Sequence, residues 1–137
     1  YKSGVDKLLA EECGEVIEKI PSIIDRLNAG DREAISHALT SCRRVIDSFA
    51  DAIFPPTSPA MGDDGEEILL TSEHKRNRIL QYVKQRCESS SRKIKIRQSL
   101  TNLYGRVSSG VHADVTLNEA KSLFFETYLL VGEIISL

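Results

Sequence analysis

Tryptophan is absent from this sequence, and four Tyr and four Phe are the only other aromatic residues, 6% of 137. Gly and Pro are also few, eight and four, and they gather in a few places along the chain. An all-β chain needs turn residues at short, regular intervals. The composition therefore favours helices. No run of apolar residues is long enough to span a membrane, so we expect no membrane partner and a cytoplasmic location.

Cysteine is scarce too, and its spacing excludes the common cysteine sites. Cys13, Cys42 and Cys87 cannot all pair with one another, and each lies in a stretch of helical apolar spacing, which predicts reduced, buried thiols. No CxxC or CxxH pair is present, and the sequence has no GxSxG, HExxH, phosphate loop or Gly-rich dinucleotide turn. We expect neither a metal nor an organic cofactor.

What remains is an ordinary globular composition, with 41% apolar and 28% charged residues. A chain of this length suits one core, so residues 1–137 are predicted to form a single domain. Because the chain begins at Tyr1 and not at Met, we expect it to be part of a longer protein.

Apolar residues recur at three- and four-residue steps in successive segments, which predicts an all-α, antiparallel bundle of four to five helices. The first helix is expected over 5–27 with a kink near Pro21, because proline lacks the backbone donor. Residues 28–30 should stop it. The second is expected to be capped by Asp31 and to end before Pro55. Segment 55–71, rich in Pro, Gly and Asp near its start, is predicted to be an exposed and partly disordered loop.

Three further helices are predicted in the second half of the chain. The third opens at Ser72, and the serines at 89–91 separate it from the fourth, which ends near residue 107. The last opens with a capping box of Thr116 and Glu119 and is the most apolar, which favours a central position. Phe125 and Leu130 lie off its main stripe. We take them as a second buried face and expect a homodimer.

Charge is distributed in blocks that the net value of −2 conceals. Residues 1–71 carry 7 Lys/Arg and 14 Asp/Glu (−7), residues 72–106 carry 10 and 2 (+8), and residues 107–137 carry 1 and 4 (−3). A polyanion such as RNA would be attracted to the middle block, with Lys93 and Arg97 as candidate contacts. Equally, the block can pair with acidic neighbouring helices and a solvated face. Both interpretations stay open.

One pair of residues could carry chemistry: Arg106 and His112, on either side of a turn of small residues. Arginine binds phosphate through a fixed fork of donors, and histidine exchanges a proton near neutral pH. Cleavage of RNA without a metal needs these two functions. The alternative is an arginine at a helix C-terminus and a histidine that caps a turn.

The segment RVSSGVHADVTLNEAKSLFFETYLLVGEI resembles the final two helices of HEPN domains, whose hallmark is an Arg followed after four to six residues by a His; here the gap is five. The resemblance implies a helical bundle that dimerises, so that two Arg/His motifs form one ribonuclease site without a metal. Arg106 would hold the scissile phosphate, His112 would act in proton transfer, and Ser108 and Ser109 could add hydrogen bonds to RNA.

Two functional hypotheses follow from the resemblance. The first is a metal-independent endoribonuclease of HEPN type in phage defence, abortive infection or a toxin–antitoxin system. The second is a non-catalytic HEPN-like module for dimerisation or for nucleotide or RNA binding in a larger effector protein. The expected partners are RNA, a second copy of the chain, and other domains of the parent protein or an antitoxin. Replacing Arg106 or His112 should leave the melting temperature nearly unchanged.

Overall fold

The structure, a computed structural model, describes residues 7, 11, 21, 22, 24–108 and 114–137. Its elements are α1 (Glu33–Ile53), β1 (Ala60–Met61), β2 (Glu67–Ile68), α2 (Lys75–Arg86), α3 (Ser90–Ser108) and α4 (Leu117–Ile135). Most of the described chain is helical, which confirms the predicted class apart from one small sheet. The antiparallel order of the helices stays a prediction.

A helical segment precedes α1 and ends as the sequence predicts. Residues 24–28 are helical and residues 29 and 30 form a turn. Gly30 has a φ of +79°, the left-handed conformation that ends many helices. The amide of Asp31 donates to the Arg26 carbonyl at 3.0 Å, and that of Gly30 to the Leu27 carbonyl at 3.1 Å. The predicted kink near Pro21 and most of the predicted first helix lie outside the described residues.

Asp31 ties the start of α1 to the preceding segment. Its Oδ1 accepts a hydrogen bond from the Glu33 amide at 2.9 Å, the bond expected of a capping side chain, but the residue at the N-cap position is Arg32. Its Oδ2 lies 2.9 Å from Nε of Arg26. The hydrogen bond from Arg26 lowers the pKa of the Asp31 carboxyl. The turn is therefore held by a charged side chain as well as by the backbone.

Of the described helices, α1 has the most extensive packing. It packs against α2, α3 and α4, whereas α4 packs mainly against α1 and α3. Three alanines on its buried face, Ala34, Ala38 and Ala50, are inaccessible to solvent. Because alanine is small, it lets neighbouring helices approach closely. The central position expected for the last helix stays a prediction, because most of the predicted first helix lies outside the described residues.

The segment between α1 and α2 contains a β-hairpin that the sequence analysis missed. Ala60 pairs with Ile68 and Met61 with Glu67 in antiparallel register. At the turn, the Gly62 amide donates to the Glu66 carbonyl at 2.7 Å, and Asp64 Oδ1 accepts from the Glu66 amide at 3.0 Å. The strands are only two residues long, too short to give a recognisable alternation of apolar and polar residues.

Arg78 anchors the base of this segment to the core. It is fully buried, and its guanidinium donates to the carbonyls of Phe54 and Ser72 at 2.9 and 3.2 Å and to Asp51 Oδ1 at 2.9 Å. These bonds connect the end of α1, the segment before α2 and α2 itself. For this member of the basic block, pairing with an acidic neighbouring helix is confirmed.

The orientation of α4 corrects the prediction for its second face. Leu130 is buried within the chain, whereas Phe125 and Leu129 are each 58% exposed. The buried stripe passes through Thr127, whose hydroxyl donates to the Leu123 carbonyl at 2.7 Å. Because that hydroxyl bonds within its own helix, Thr127 fits an apolar stripe. A polar residue in the stripe obscured its position in the sequence.

Candidate nucleic-acid interface and the Arg106 ion-pair cluster

Arg106 lies in the last turn of α3 and is bound by two carboxylates. Its Nε donates to Glu119 Oε2 at 2.9 Å, while Nη2 makes a short contact with Glu119 Oε1. Nη1 donates to Asp114 Oδ2 at 3.1 Å. Glu119 belongs to the first turn of α4, and its amide is capped by Thr116 Oγ1 at 3.1 Å. The cap half of the predicted capping box is thereby confirmed.

These contacts determine what Arg106 can do. The hydrogen bonds that Arg106 donates to Glu119 and, second in size, to Asp114 raise the pKa of Arg106 above its ordinary value, so the group stays cationic. Its side chain is 39% exposed, but the donor edge that would match a phosphate already matches a carboxylate. A phosphate must therefore displace Glu119 or Asp114 to be bound in the same way.

Of the other residues of the predicted Arg/His site, only Ser108 is described, and no hydrogen bond joins its side chain to this cluster. His112 and Ser109 lie outside the described residues. The Ser108 hydroxyl oxygen is buried without a hydrogen-bond partner among the residues that the structure describes. It would have to be uncovered before it could contact RNA. Of the two predicted catalytic residues, only Arg106 therefore has a known environment.

Lys93 and Arg97, the predicted RNA contacts, line one groove with a volume of about 610 Å³. Lys84 of α2 lies in the same wall, so three cations from two helices face the groove; we call Lys84, Lys93 and Arg97 the basic wall. Lys93 is half-buried and Arg97 is exposed. The apolar side chains that line the groove are Ile68, Leu80, Val83 and Ile94.

The groove is also lined by acidic residues, a feature that sequence reasoning did not find. They belong to the β-hairpin, whose Asp63, Asp64, Glu66 and Glu67 we call the acidic tip. Asp63 Oδ1 lies 3.0 Å from Nζ of Lys84. The hydrogen bond from Lys84 lowers the pKa of the Asp63 carboxyl, with a smaller contribution from the charge of Lys93. The groove is thus lined by both basic and acidic side chains.

Helices α2 and α3 together carry ten Lys/Arg, five in each, and no Asp or Glu. Five of the ten form ion pairs with acidic residues of other segments: Lys75, Arg78, Lys84, Arg92 and Arg106. Within the described residues, no ion pair involves Lys93, Lys95 or Arg97. The pairing interpretation is therefore confirmed for these five cations, and attraction of a polyanion to the others stays a prediction.

A second charged cluster surrounds Asp47 on α1. Its carboxylate lies 3.2 Å from Nζ of Lys75 and 3.8 Å from Nε of Arg43, and it accepts a hydrogen bond from the Tyr104 hydroxyl at 3.3 Å. The cluster joins α1, α2 and α3. Since the one carboxylate already binds all three groups, its chemistry is that of an interhelical connection.

The described residues include no group of three or more His, Cys, Asp or Glu side chains placed to hold a metal ion. None of the helices in this part of the chain has the length and apolar character needed to cross a membrane. Comparisons of the chain with protein-family models, curated proteins and solved structures found no match. A function for this chain must therefore be inferred from its own residues.

Proposed function

We propose that this domain is a HEPN-like helical module that binds RNA through the basic wall of the groove. The observation that carries the proposal is the placement of Lys93 and Arg97. They are four residues apart on α3, line one groove with Lys84, and form no ion pair with the described residues. Two cations one helical turn apart can contact successive phosphates of one strand.

The chemistry of the groove favours RNA over a small anion. Arginine pairs with phosphate through two parallel hydrogen bonds, and lysine supplies a mobile point charge. The exposed Ile94 beside them offers an apolar surface on which an unstacked base can pack. Single-stranded RNA presents both phosphates and unstacked bases. An open groove of this size is therefore suited to a short stretch of strand.

The proposal is tested by fluorescence anisotropy with a labelled single-stranded RNA at 50 and 200 mM salt. The Lys93→Glu/Arg97→Glu double variant should bind at least ~10-fold more weakly than the wild type at 50 mM salt. Its dependence of log K on log salt should be flatter by roughly 1.4, since each phosphate contact on a single strand contributes about 0.7. Wild-type affinity that does not change with salt contradicts the proposal.

The matched control is Arg44→Glu/Lys121→Glu, which makes the same change in net charge on α1 and α4. Neither residue lines the groove. The control should weaken binding by no more than ~3-fold, because distant charges are screened by salt. Equal losses in the two double variants would mean that RNA responds to total charge and not to the groove.

Metal-independent RNA cleavage is the second candidate function, favoured by the partly exposed position of Arg106 at the end of α3. In this reaction the RNA 2′-hydroxyl loses its proton and attacks phosphorus, and the 5′-oxygen leaves with a proton, so that a 2′,3′-cyclic phosphate forms. Arg106, once exchanged from its carboxylates, would stabilise the phosphate charge, and His112 would transfer a proton. The HEPN resemblance implies that a second copy of the chain completes such a site and that the setting is antiviral defence or a toxin–antitoxin pair.

Cleavage is tested with purified protein, single-stranded RNA and EDTA. Products with cyclic or 3′-phosphate ends, lost in His112→Ala but retained in Arg44→Ala, would establish the nuclease. A general acid or base typically contributes about 10²–10⁴ in rate, so the loss should be unmistakable. If the wild type binds RNA but leaves it intact, the function is binding alone.

A further inference from the structure

We infer that the acidic tip of the hairpin competes with RNA phosphates for the basic wall, so that the hairpin regulates access to the groove. This inference rests on the proposed RNA-binding function and adds an intramolecular control to it. The tip is a segment of four carboxylates without a basic residue, and it lines the same groove as Lys84, Lys93 and Arg97.

The acidic tip contacts the basic wall directly. The Asp63 carboxylate lies 3.0 Å from Nζ of Lys84, with the Asp63 side chain 93% exposed and that of Lys84 40% exposed. The charge of Lys93 also contributes to the lowered pKa of the Asp63 carboxyl. A carboxylate here offers a lysine the same ligand as a phosphate, an anionic oxygen. Tip and RNA therefore bind the same groups.

The base of the hairpin segment is held by more contacts than its tip. The base is secured by buried Arg78, by a hydrogen bond from the Thr57 amide to the Leu70 carbonyl at 3.0 Å, and by one from Asn77 Nδ2 to the Leu69 carbonyl at 3.1 Å. Among the described residues, the ion pair of Asp63 is the only one that the tip makes. Such an exposed pair contributes little to stability, so the tip can exchange it while the base stays fixed.

Repulsion acts in the same direction. An RNA strand on the basic wall would lie close to the tip carboxylates, and the like charges of phosphates and carboxylates repel each other, most strongly at low salt. Tight binding of RNA therefore requires the tip to move away from the wall. Neutralising the tip should remove both the competition for Lys84 and this repulsion.

The test uses the Asp63→Asn/Asp64→Asn/Glu66→Gln variant. Asparagine at 64 retains the Oδ1 that accepts the Glu66 amide, so the turn can persist. A triple variant with the same charge change, Glu11→Gln/Glu33→Gln/Glu126→Gln, is the control, because none of its residues lines the groove. At 50 mM salt the hairpin variant should bind single-stranded RNA about 10-fold more tightly than the wild type, and the control at most about 2-fold more tightly.

Hydrogen exchange of the wild type with and without RNA provides a second readout. RNA should accelerate exchange at the Gly62 and Glu66 amides, whose acceptors lie within the turn, and it should leave the base near Leu70 unchanged. Equal tightening in the two triple variants, or slower exchange of the tip with RNA, overturns the competition while leaving RNA binding intact. If neither the wild type nor the hairpin variant binds RNA, the proposed function and this inference both fail.

Discussion

The guanidinium of Arg106 and the carboxylate of Glu119, thirteen positions apart, form a two-point ion pair between the last turn of α3 and the first turn of α4. The pair spans the connection that contains His112. Asp114, within that connection, binds the same guanidinium. Arg106 therefore holds both Asp114 and the start of α4 close to the end of α3. Its environment is that of a structural cation as much as of a catalytic one.

Replacing Arg106 should therefore lower thermal stability, in contrast to the expectation from sequence alone. Arg106→Ala and Glu119→Gln should each reduce the melting temperature measured by circular dichroism. The double variant should melt no lower than the less stable of the two single variants, because both substitutions remove the same interaction. Glu119→Gln leaves the backbone cap from Thr116 in place. A wild-type melting temperature in Arg106→Ala would mean that the pair has no structural role.

Arg78→Met should be the more damaging change. It removes a fully buried guanidinium together with its hydrogen bonds to the Phe54 and Ser72 carbonyls and to Asp51. A hydrogen bond that involves a charged group contributes about 1.5–3 kcal/mol, so the free energy of unfolding in urea should fall by roughly 2–4 kcal/mol. Arg76 lies two residues before Arg78 and is exposed. Arg76→Met should change the free energy of unfolding by no more than about 0.5 kcal/mol. Equal effects would contradict the anchoring role.

The thiol of Cys42 should be unreactive in the folded protein. Burial raises its pKa from the ordinary 9.0 to about 11, so the reactive thiolate is scarce at pH 8. Because the folded pKa is the higher one, the stabilisation linked to this proton is present below about pH 9 and is lost as the pH rises towards 11. In a Cys13→Ser/Cys87→Ser background, a thiol reagent should react at pH 8 only on addition of urea. Rapid labelling without denaturant would contradict the burial.

Self-association, if it occurs through α4, should depend on Phe125. This side chain is 58% exposed and lies edge-on to Phe124 with ring centroids 6.3 Å apart. Phe125→Ser should shift a dimer towards monomer in light scattering, because an exposed aromatic of this size contributes strongly when it is covered. Ile94→Ser, which removes an equally exposed apolar side chain from the groove, should not. A wild type that is monomeric at micromolar concentrations would remove the predicted homodimer.

Elements whose signals are local could be predicted from the sequence. Asp31 and Thr116 each bond a backbone amide two or three residues ahead, and Gly30 ends a helix because of its own conformational freedom. These interactions are complete within one turn of chain. Helix bounds from α1 to α4 could therefore be predicted closely, and the basic character of α2 and α3 could be counted directly.

Which partner each charged or apolar side chain contacts depends on the tertiary structure. Arg78 and Arg97 are the same residue type in one basic block, yet one is buried against Asp51 and the other faces the groove. Leu129 and Leu130 differ by one position, and the rotation of α4 against α1 buries only the second. The pairing of Arg106 with Glu119 and the approach of the hairpin to Lys84 likewise join distant positions. Their partners are set by packing of the helices, because the type of a residue does not specify which distant residue it will contact.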